Sequence, residues 1–444
     1  MANKRPGEGA EGSDDQSQAK KGKGTEDFGL LLFSGATDWE FVGRKANNLP
    51  RSKNTFWKPI IMETFANMSM KAVYSGPNSV HIFAINEEGQ VFAWGRNEQG
   101  QLGLGDTKDR KKPAKVEFPE GVQIAKIATG KNHSLFLTDA GEIFACGDNR
   151  HGQTSGGKKD SKCTKPTRVS HEGPSAKHIA CGGDFSAFVG TDGSIWTWGH
   201  PEHGQLGHNT EGQYIEKAGK VNYDYVYNPS RISTFVEKDA RKKNTQYLTP
   251  PNIVTMDCGT NHCVAVDSNN KAYSWGFGGY GRLGHSCTDN EMVPCLIASF
   301  NGPKRGIKSV TCGAQFNLAP AEIPGTTYMW GQYVSSKEAN MYPKPIPDLS
   351  GWLDIKSIAC STKGWVLSAD DTIIAAIPSP AYGELAMGEF KKSSAAPTEV
   401  KTLDGLKVAQ CAMGLAYSLF LARVEPDKVD ALKKKYPVIA QVDD

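Results

Sequence analysis

Three groups of residues have types and spacings that could do chemistry. Gly276-Phe-Gly-Gly-Tyr-Gly281 matches by letter the glycine pattern that cradles a dinucleotide pyrophosphate. That chemistry needs a helix N-terminus beneath the phosphates, and this run leads instead into Arg-Leu-Gly-His, a second turn. It is read as a turn, and no cofactor is expected. The ten cysteines are the second group. Cys181, Cys258, Cys312 and Cys360 lie about 50 or more residues apart, in separate segments, where ligands do not converge on one zinc ion. They read as buried free thiols of a reducing compartment, and no metal is expected. His133 and His262 form the third group, each three residues after a glycine, in GKNH and GTNH. A histidine in such a turn reads first as a partner for a backbone group. No nucleophile–base pair or paired carboxylates recur, so no catalytic residue is assigned and the chain is read as a non-enzyme.

These residues sit in a repeat. One unit reads GQVFAWGRNEQGQLGLGD (89–106), GEIFACGDNRHGQTSGGK (141–158), GSIWTWGHPEHGQLGHNT (193–210) and NKAYSWGFGGYGRLGHSC (270–287). A second unit lies between these copies: KIATGKNHSLFLT (126–138), HIACGGDFSAFVG (178–190) and TMDCGTNHCVAVD (255–267). Weaker copies bring each to seven. Gly95, Gly147 and Gly199 set a period of 52 residues. Alternating apolar residues and punctuating glycines make each unit strand-and-turn. Such a repeat cannot bury its own apolar face, and a closed ring of neighbours both covers it and removes open edges. The expectation is all-β: a single seven-bladed β-propeller. The chain starts with an orphan first unit (Leu30–Gly43) and ends with an orphan second unit (Gln410–Ala422). Pairing the N- and C-terminal strands would complete the last blade and close the ring.

At these strings the chain resembles the regulator of chromosome condensation family, over about 30–422. LLLFSGATDWEFVGRK (30–45), HPEHGQLGHNTEGQYI (200–215), MYPK (341–344) and PSPAYGEL (378–385) resemble a mitotic branch of it. Two landmarks depart from the pattern: Ser361 replaces a repeat glycine, and Ala375-Ala376 stand where Trp-Gly would fall. Propeller function sits in the loops of one rim, which the blades hold rigidly. Residues just after the second-unit glycine should form one ring of loops: Lys131–Asn132, Gly183–Asp184, Thr260–Asn261 and Ala314–Gln315. In the founding family member, an exchange factor for the GTPase Ran, acids and histidines at such positions touch the GTPase. The resemblance implies partner contacts at Lys131, Asn132, His133, Asp184, Asn261, His262 and Gln315. Asp184 is the one acid among them, able to compete for a nucleotide's Mg²⁺ or to pair with a phosphate-binding lysine. As a structural residue it would cap a turn. The absence of a histidine at Asn261 or Gln315 weakens any reading as a Ran exchange factor.

One stretch departs from the period. From Gly199 to Gly259 is 60 residues, where 35 is usual. Residues 211–250 hold five of the fourteen tyrosines, among them Tyr223, Tyr225 and Tyr227, followed by Lys238 and Arg241-Lys242-Lys243. Tyrosine beside basic residues suits a binding surface. The alternation equally suits an extra packed hairpin.

Lys plus Arg total 51 against 48 Asp plus Glu, a net charge of +3, so no global field draws the chain to nucleic acid or an anionic membrane. No apolar run approaches a membrane span. Residues 1–25 read as a disordered charged tail, with Lys4-Arg5 and Lys20-Lys21 loosely resembling a two-part nuclear signal. Residues 26–423 are the expected propeller, with the insertion at 211–250. Residues 424–444 are the expected basic tail or short helix.

The resemblance implies a monomeric regulatory propeller for Rac-, Ral- or Ran-type small GTPases, with exchange activity as a finer claim. It also implies mitotic centromere proteins as partners, and a place in nucleus and cytoplasm and on mitotic chromosomes and spindle. The alternative is a chromatin- or microtubule-associated scaffold whose binding weakens steeply with salt.

Overall fold

The computed structural model describes residues 27–44, 55–157, 161–239, 244–334, 338–378, 380–389 and 394–440. It is a seven-bladed propeller. In the first complete blade, Met70–Tyr74, His81–Asn86, Val91–Gly95 and Arg110–Lys115 run antiparallel from the axis to the rim. The second sequence unit therefore supplies two strands, innermost and next, and the first unit supplies the third. Five more blades follow in chain order, and the last is shared between the termini.

That last blade runs Lys407–Met413, Tyr417–Val424, Phe28–Ala36, Thr55–Met62. Phe28–Gly35 pairs antiparallel with Tyr417–Val424 in continuous register, Leu31 opposite Leu421 and Phe33 opposite Leu419. The apolar runs LLLF and LFLA are buried throughout, so closure joins backbone pairing to core burial. The end of the chain is docked as well. A short helix, Val429–Lys435, is followed by Val438–Ile439, which adds a fifth strand parallel to Thr55–Met62. Tyr436 is buried and its hydroxyl donates to the Thr402 carbonyl at 2.7 Å. The expected basic tail thus contains a helix packed on the last blade.

The core lies in the wedges between blades. Phe83 meets Phe136 of the next blade edge-on at 5.2 Å, a favoured aromatic geometry, and both rings are buried. The repeat also welds blades with hydrogen bonds. The Trp198 indole donates to the Gln153 carbonyl and Trp275 to that of Gln205, each across to the preceding blade at 2.9 Å. Ser186 Oγ donates to the same Gln153 carbonyl at 2.7 Å. For both indoles the acceptor is the glutamine that follows the turn glycine, Gly152-Gln153 and Gly204-Gln205. The glycine closing the third strand is forced. Gly147 has φ 108°, and a Cβ there would lie 2.3 Å from the Asn132 carbonyl oxygen.

All seven outer blade strands carry a proline: Pro59, Pro113, Pro166, Pro229, Pro294, Pro343 and Pro397. Each stands where the pairing to the third strand slips register. Proline cannot donate to a ladder and blunts the edge against other strands.

The stretch 211–250 is not a single insertion. Gln213–Ile215 and Val221–Tyr223 form a separate hairpin. Val226–Arg231 is the outer strand of the third complete blade. Phe235–Lys238 and Thr245–Leu248 form a second hairpin, which joins the next blade through a parallel contact of Val236 with Cys295. No helix among the described residues is long and apolar enough to cross a membrane.

Candidate functional site

The loops after the repeat glycines meet around the axis on one face. Their backbones bond in sequence: Lys131 N–H to the Gly183 carbonyl (3.1 Å), Gly183 to Thr260 (2.9 Å), Thr260 to Ala314 (3.2 Å) and Ala314 to Ser361 (3.3 Å). Ser361, at the repeat-glycine position itself, ends this chain as an acceptor and keeps the glycine's own bond, its N–H donating to the Gly364 carbonyl three residues on at 2.8 Å. The Asn132, Asp184, Asn261 and Gln315 carbonyls each accept an N–H from the residue after the third-strand glycine of their own blade, at 2.8–3.1 Å. Each loop is thus held from two sides. Thr260 Oγ1 also donates to Asn78 Oδ1 at 3.0 Å, from the fourth complete blade to the first. The axis is thereby bridged at this face.

Beside this bridge is a cavity of about 540 Å³, lined by Asn78, Lys131, His151, Gly183, Asp184, His200, Glu202, Gln205, Thr260, Asn261 and Leu415. Of the sequence-derived residues, it brings together Lys131, Asp184 and Asn261. Asn132 and Gln315 occupy equivalent loop positions outside its lining.

Two expected contact residues are not available on the rim. His133 and His262 are fully buried. His133 Nε2 pairs with Ser186 Oγ at 3.0 Å and His262 Nε2 with Asn317 Oδ1 at 2.8 Å, each reaching the next blade. His81 makes the same link to Ser134 at 2.9 Å. Burial drives the His133 pKa down to about 4 and that of His262 to about 3, so both rings are neutral blade-to-blade struts. Their Nε2 partners are side chains, not the backbone groups expected.

Sequence reasoning missed His151, His200, Glu202 and Asn78. A signal was present for His151 alone, which stands four residues after the third-strand glycine Gly147, as His203 does after Gly199. His151 and His200 meet edge-on at 4.6 Å, and Tyr225 packs on both, at 4.8 and 5.3 Å. Tyr223 packs on His200 at 5.1 Å and donates its hydroxyl to Glu202 Oε1 at 3.2 Å. Tyr227, on the outer strand, meets Tyr225 at 6.5 Å. The tyrosines therefore buttress the cavity wall from behind. Burial, reinforced by His151, holds His200 down to about 4, with Glu202 and Asp184 pulling the other way. Arg150 is committed to Asp148, a fully buried carboxylate, through Nε at 3.0 and 3.1 Å and a second guanidinium nitrogen at 2.6 Å.

The basic half of the proposed binding surface fares differently. Lys238 forms an ion pair with buried Glu291 and anchors the second hairpin. Arg241, Lys242 and Lys243 lie outside the described residues. So does the N-terminal segment 1–26.

A second cavity of about 340 Å³ lies along the innermost strands, lined in part by Cys181, Cys312, Cys360, Cys411, Asp257 and His178. Burial raises the four thiols' pKa values, so they remain protonated and are poor nucleophiles. Asp257 accepts the Cys258 and Cys312 N–H groups at 2.8 and 2.7 Å, and burial outweighs these bonds to lift it to about 6. The Gly276–Gly281 run is a turn with a single 3₁₀ element and no α-helix following.

Comparison with known proteins now bears on this geometry. The regulator of chromosome condensation (RCC1) repeat matches residues 88–137, 140–189, 192–266 and 269–319. The chain belongs to the RCC1 repeat family. Among relatives, Protein RCC2 of Homo sapiens is 40% identical over 425 residues, 94% of this chain and 80% of that protein. The Danio rerio homologue is 39% identical over 92% of this chain and 83% of that protein. Solved propellers agree in fold. Yeast RCC1 (Prp20), in a crystal structure bound to Kap60, gives a TM-score of 0.70 at 17% identity, covering 98% of both chains. Human WBSCR16 gives 0.70 at 17%, covering 89% of this chain and 99% of that one. In this RCC1-repeat chain, the repeat landmarks are the ring of loops, the blade-to-blade bonds and the closing strands.

Proposed function

We propose that this propeller is a regulatory protein that binds a small GTPase of the Rac, Ral or Ran type on the face where Lys131, Asp184 and Asn261 meet. The observation that carries the reading is the cavity beside the Asn78–Thr260 bridge, where these three residues converge on loops fixed from two sides. Pre-organised loops bind without the entropy cost of ordering. Membership of the RCC1 repeat family and likeness to RCC2 support it, as does the structure of yeast Prp20p described together with its binding to Gsp1p and histones. Exchange is a finer proposal: Asp184 would compete for the nucleotide's Mg²⁺ or pair with a phosphate-binding lysine. A role at mitotic chromosomes and spindle, in nucleus and cytoplasm, belongs to the same reading. Binding to histones, chromatin or microtubules without a GTPase is the second reading, favoured by the histone binding of that yeast relative.

The test is capture of purified GTPases by immobilised chain, with each GTPase nucleotide-free, GDP-loaded or GTP-loaded. Capture of one of them in at least one state, weakened by Asp184→Ala, supports the proposal. No capture in any state overturns it.

A further inference from the structure

One wall of the face cavity is built by the turns after Gly147 and Gly199 and is backed by the hairpin Gln213–Tyr223. His151, His200 and Glu202 together line this wall. Glu202 is held at the mouth by the Tyr223 hydroxyl, and its Oε2 lies 3.8 Å from both His200 Nδ1 and His203 Nε2. The carboxylate is nonetheless 40% exposed. Asp184 contributes a second carboxylate to the lining, and Lys131 the one ammonium among the described lining residues. Asn78, Gln205, Thr260 and Asn261 add neutral polar groups. His151 Nδ1 is buried in this wall with no hydrogen-bond partner among the described residues.

Two carboxyl side chains against one ammonium give the lining an excess of acidic groups. His200 is neutral there, so its ring offers a π face, not a positive charge. An anion entering this space would meet both carboxylates. A guanidinium or ammonium would meet acceptors and aromatic faces together, the combination that holds cations.

We propose that this wall accepts a cationic side chain, an arginine or lysine of the bound protein partner, between the Glu202 and Asp184 carboxylates and against the His151 and His200 rings. The inference rests on the reading of this face as the GTPase-binding surface. It names what that partner must present there. Tyr223 and Tyr225 act as positioning residues, holding the carboxylate and the rings in place.

The experiment titrates the full chain with three capped tripeptides, Gly-Arg-Gly, Gly-Lys-Gly and Gly-Gln-Gly, following histidine ring signals by NMR. The arginine and lysine peptides should shift the His151 and His200 signals, with the glutamine peptide at least tenfold weaker. Glu202→Gln should weaken the arginine peptide about tenfold, the usual scale for one charge-assisted bond, while leaving the glutamine peptide unchanged. Its thermal unfolding should match wild type, because the side chain is part-exposed. Equal binding of the three peptides, or no effect of Glu202→Gln on the arginine peptide, overturns the proposal. GTPase capture separates the two readings. If a GTPase is held equally by wild type and Glu202→Gln, the cation pocket fails and the GTPase reading stands. If the arginine peptide binds as described but no GTPase is captured, the pocket stands and the GTPase reading fails.

Discussion

Replacing Phe33 by alanine should unfasten the ring. Phe33 is fully buried in the closing strand, opposite Leu419 on one side and Ile60 on the other. Its ring stacks on Tyr417 at 6.0 Å and meets Phe56 edge-on at 6.3 Å. Removing a buried phenyl costs about 3–5 kcal/mol through lost transfer energy and the cavity left behind. Against a typical total of about 5–15 kcal/mol, that is a large fraction of stability. The loss falls on the one blade assembled from both ends of the chain, so it should release the closing strands. Phe33→Leu keeps most of the volume and should cost about 1.5 kcal/mol or less. Tyr247→Ala, at a side chain 76% exposed, should change stability by no more than about 0.5 kcal/mol. Urea unfolding followed by tryptophan fluorescence and circular dichroism gives the three midpoints. If Phe33→Ala unfolds with the midpoint of Tyr247→Ala, the closing strand is not what holds the ring.

Gly147→Ala should destabilise the chain by several kcal/mol, since its Cβ would collide with the Asn132 carbonyl at a positive φ; calorimetry should show a lowered Tm, and an unchanged Tm would contradict the strand geometry. His133→Ala should cost about 1–3 kcal/mol by leaving Ser186 without its imidazole partner, while GTPase capture by the folded variant stays at wild-type level. Stability should fall with acid. His81, His133 and His262 are fully buried and His178 is half-buried, with folded pKa values of about 3, 4, 3 and 4, below the ordinary 6.5. The unfolded chain binds the protons first, so their contribution is complete above pH 6.5 and is lost progressively as pH falls towards 3–4. Each histidine should withdraw roughly 2 kcal/mol by pH 5. Unfolding midpoints measured from pH 7.5 to 4.5 should drop steeply below 6.5, and a flat profile would contradict the burial of these rings.

Much of the fold was legible because the repeat is strict. Gly95, Gly147 and Gly199 mark identical backbone positions, and the two orphan units at the chain ends required a shared blade. The outer strands were not legible. Their side chains are half-exposed, their sequences share little beyond one proline, and a lone proline reads as a breaker before pairing is known. Val226–Arg231 was hidden for that reason, and the long stretch around it looked like one insertion. The candidate site was half legible. Lys131, Asp184 and Asn261 followed from the loop position read together with the family resemblance. His133 and His262 were misread because a residue three places after the glycine has already entered the second strand, where its ring points into the neighbouring blade. His151, His200 and Glu202 join the cavity only through turns of two successive blades, a proximity that repeat position marks but does not disclose.

Hydrogen–deuterium exchange of the chain with and without a captured GTPase tests the central claim most directly. The account expects slowed exchange in the loops 131–132, 183–184, 200–203 and 260–261, with the innermost strands near Cys312 and Cys360 unchanged. Protection confined to the outer strands would contradict it.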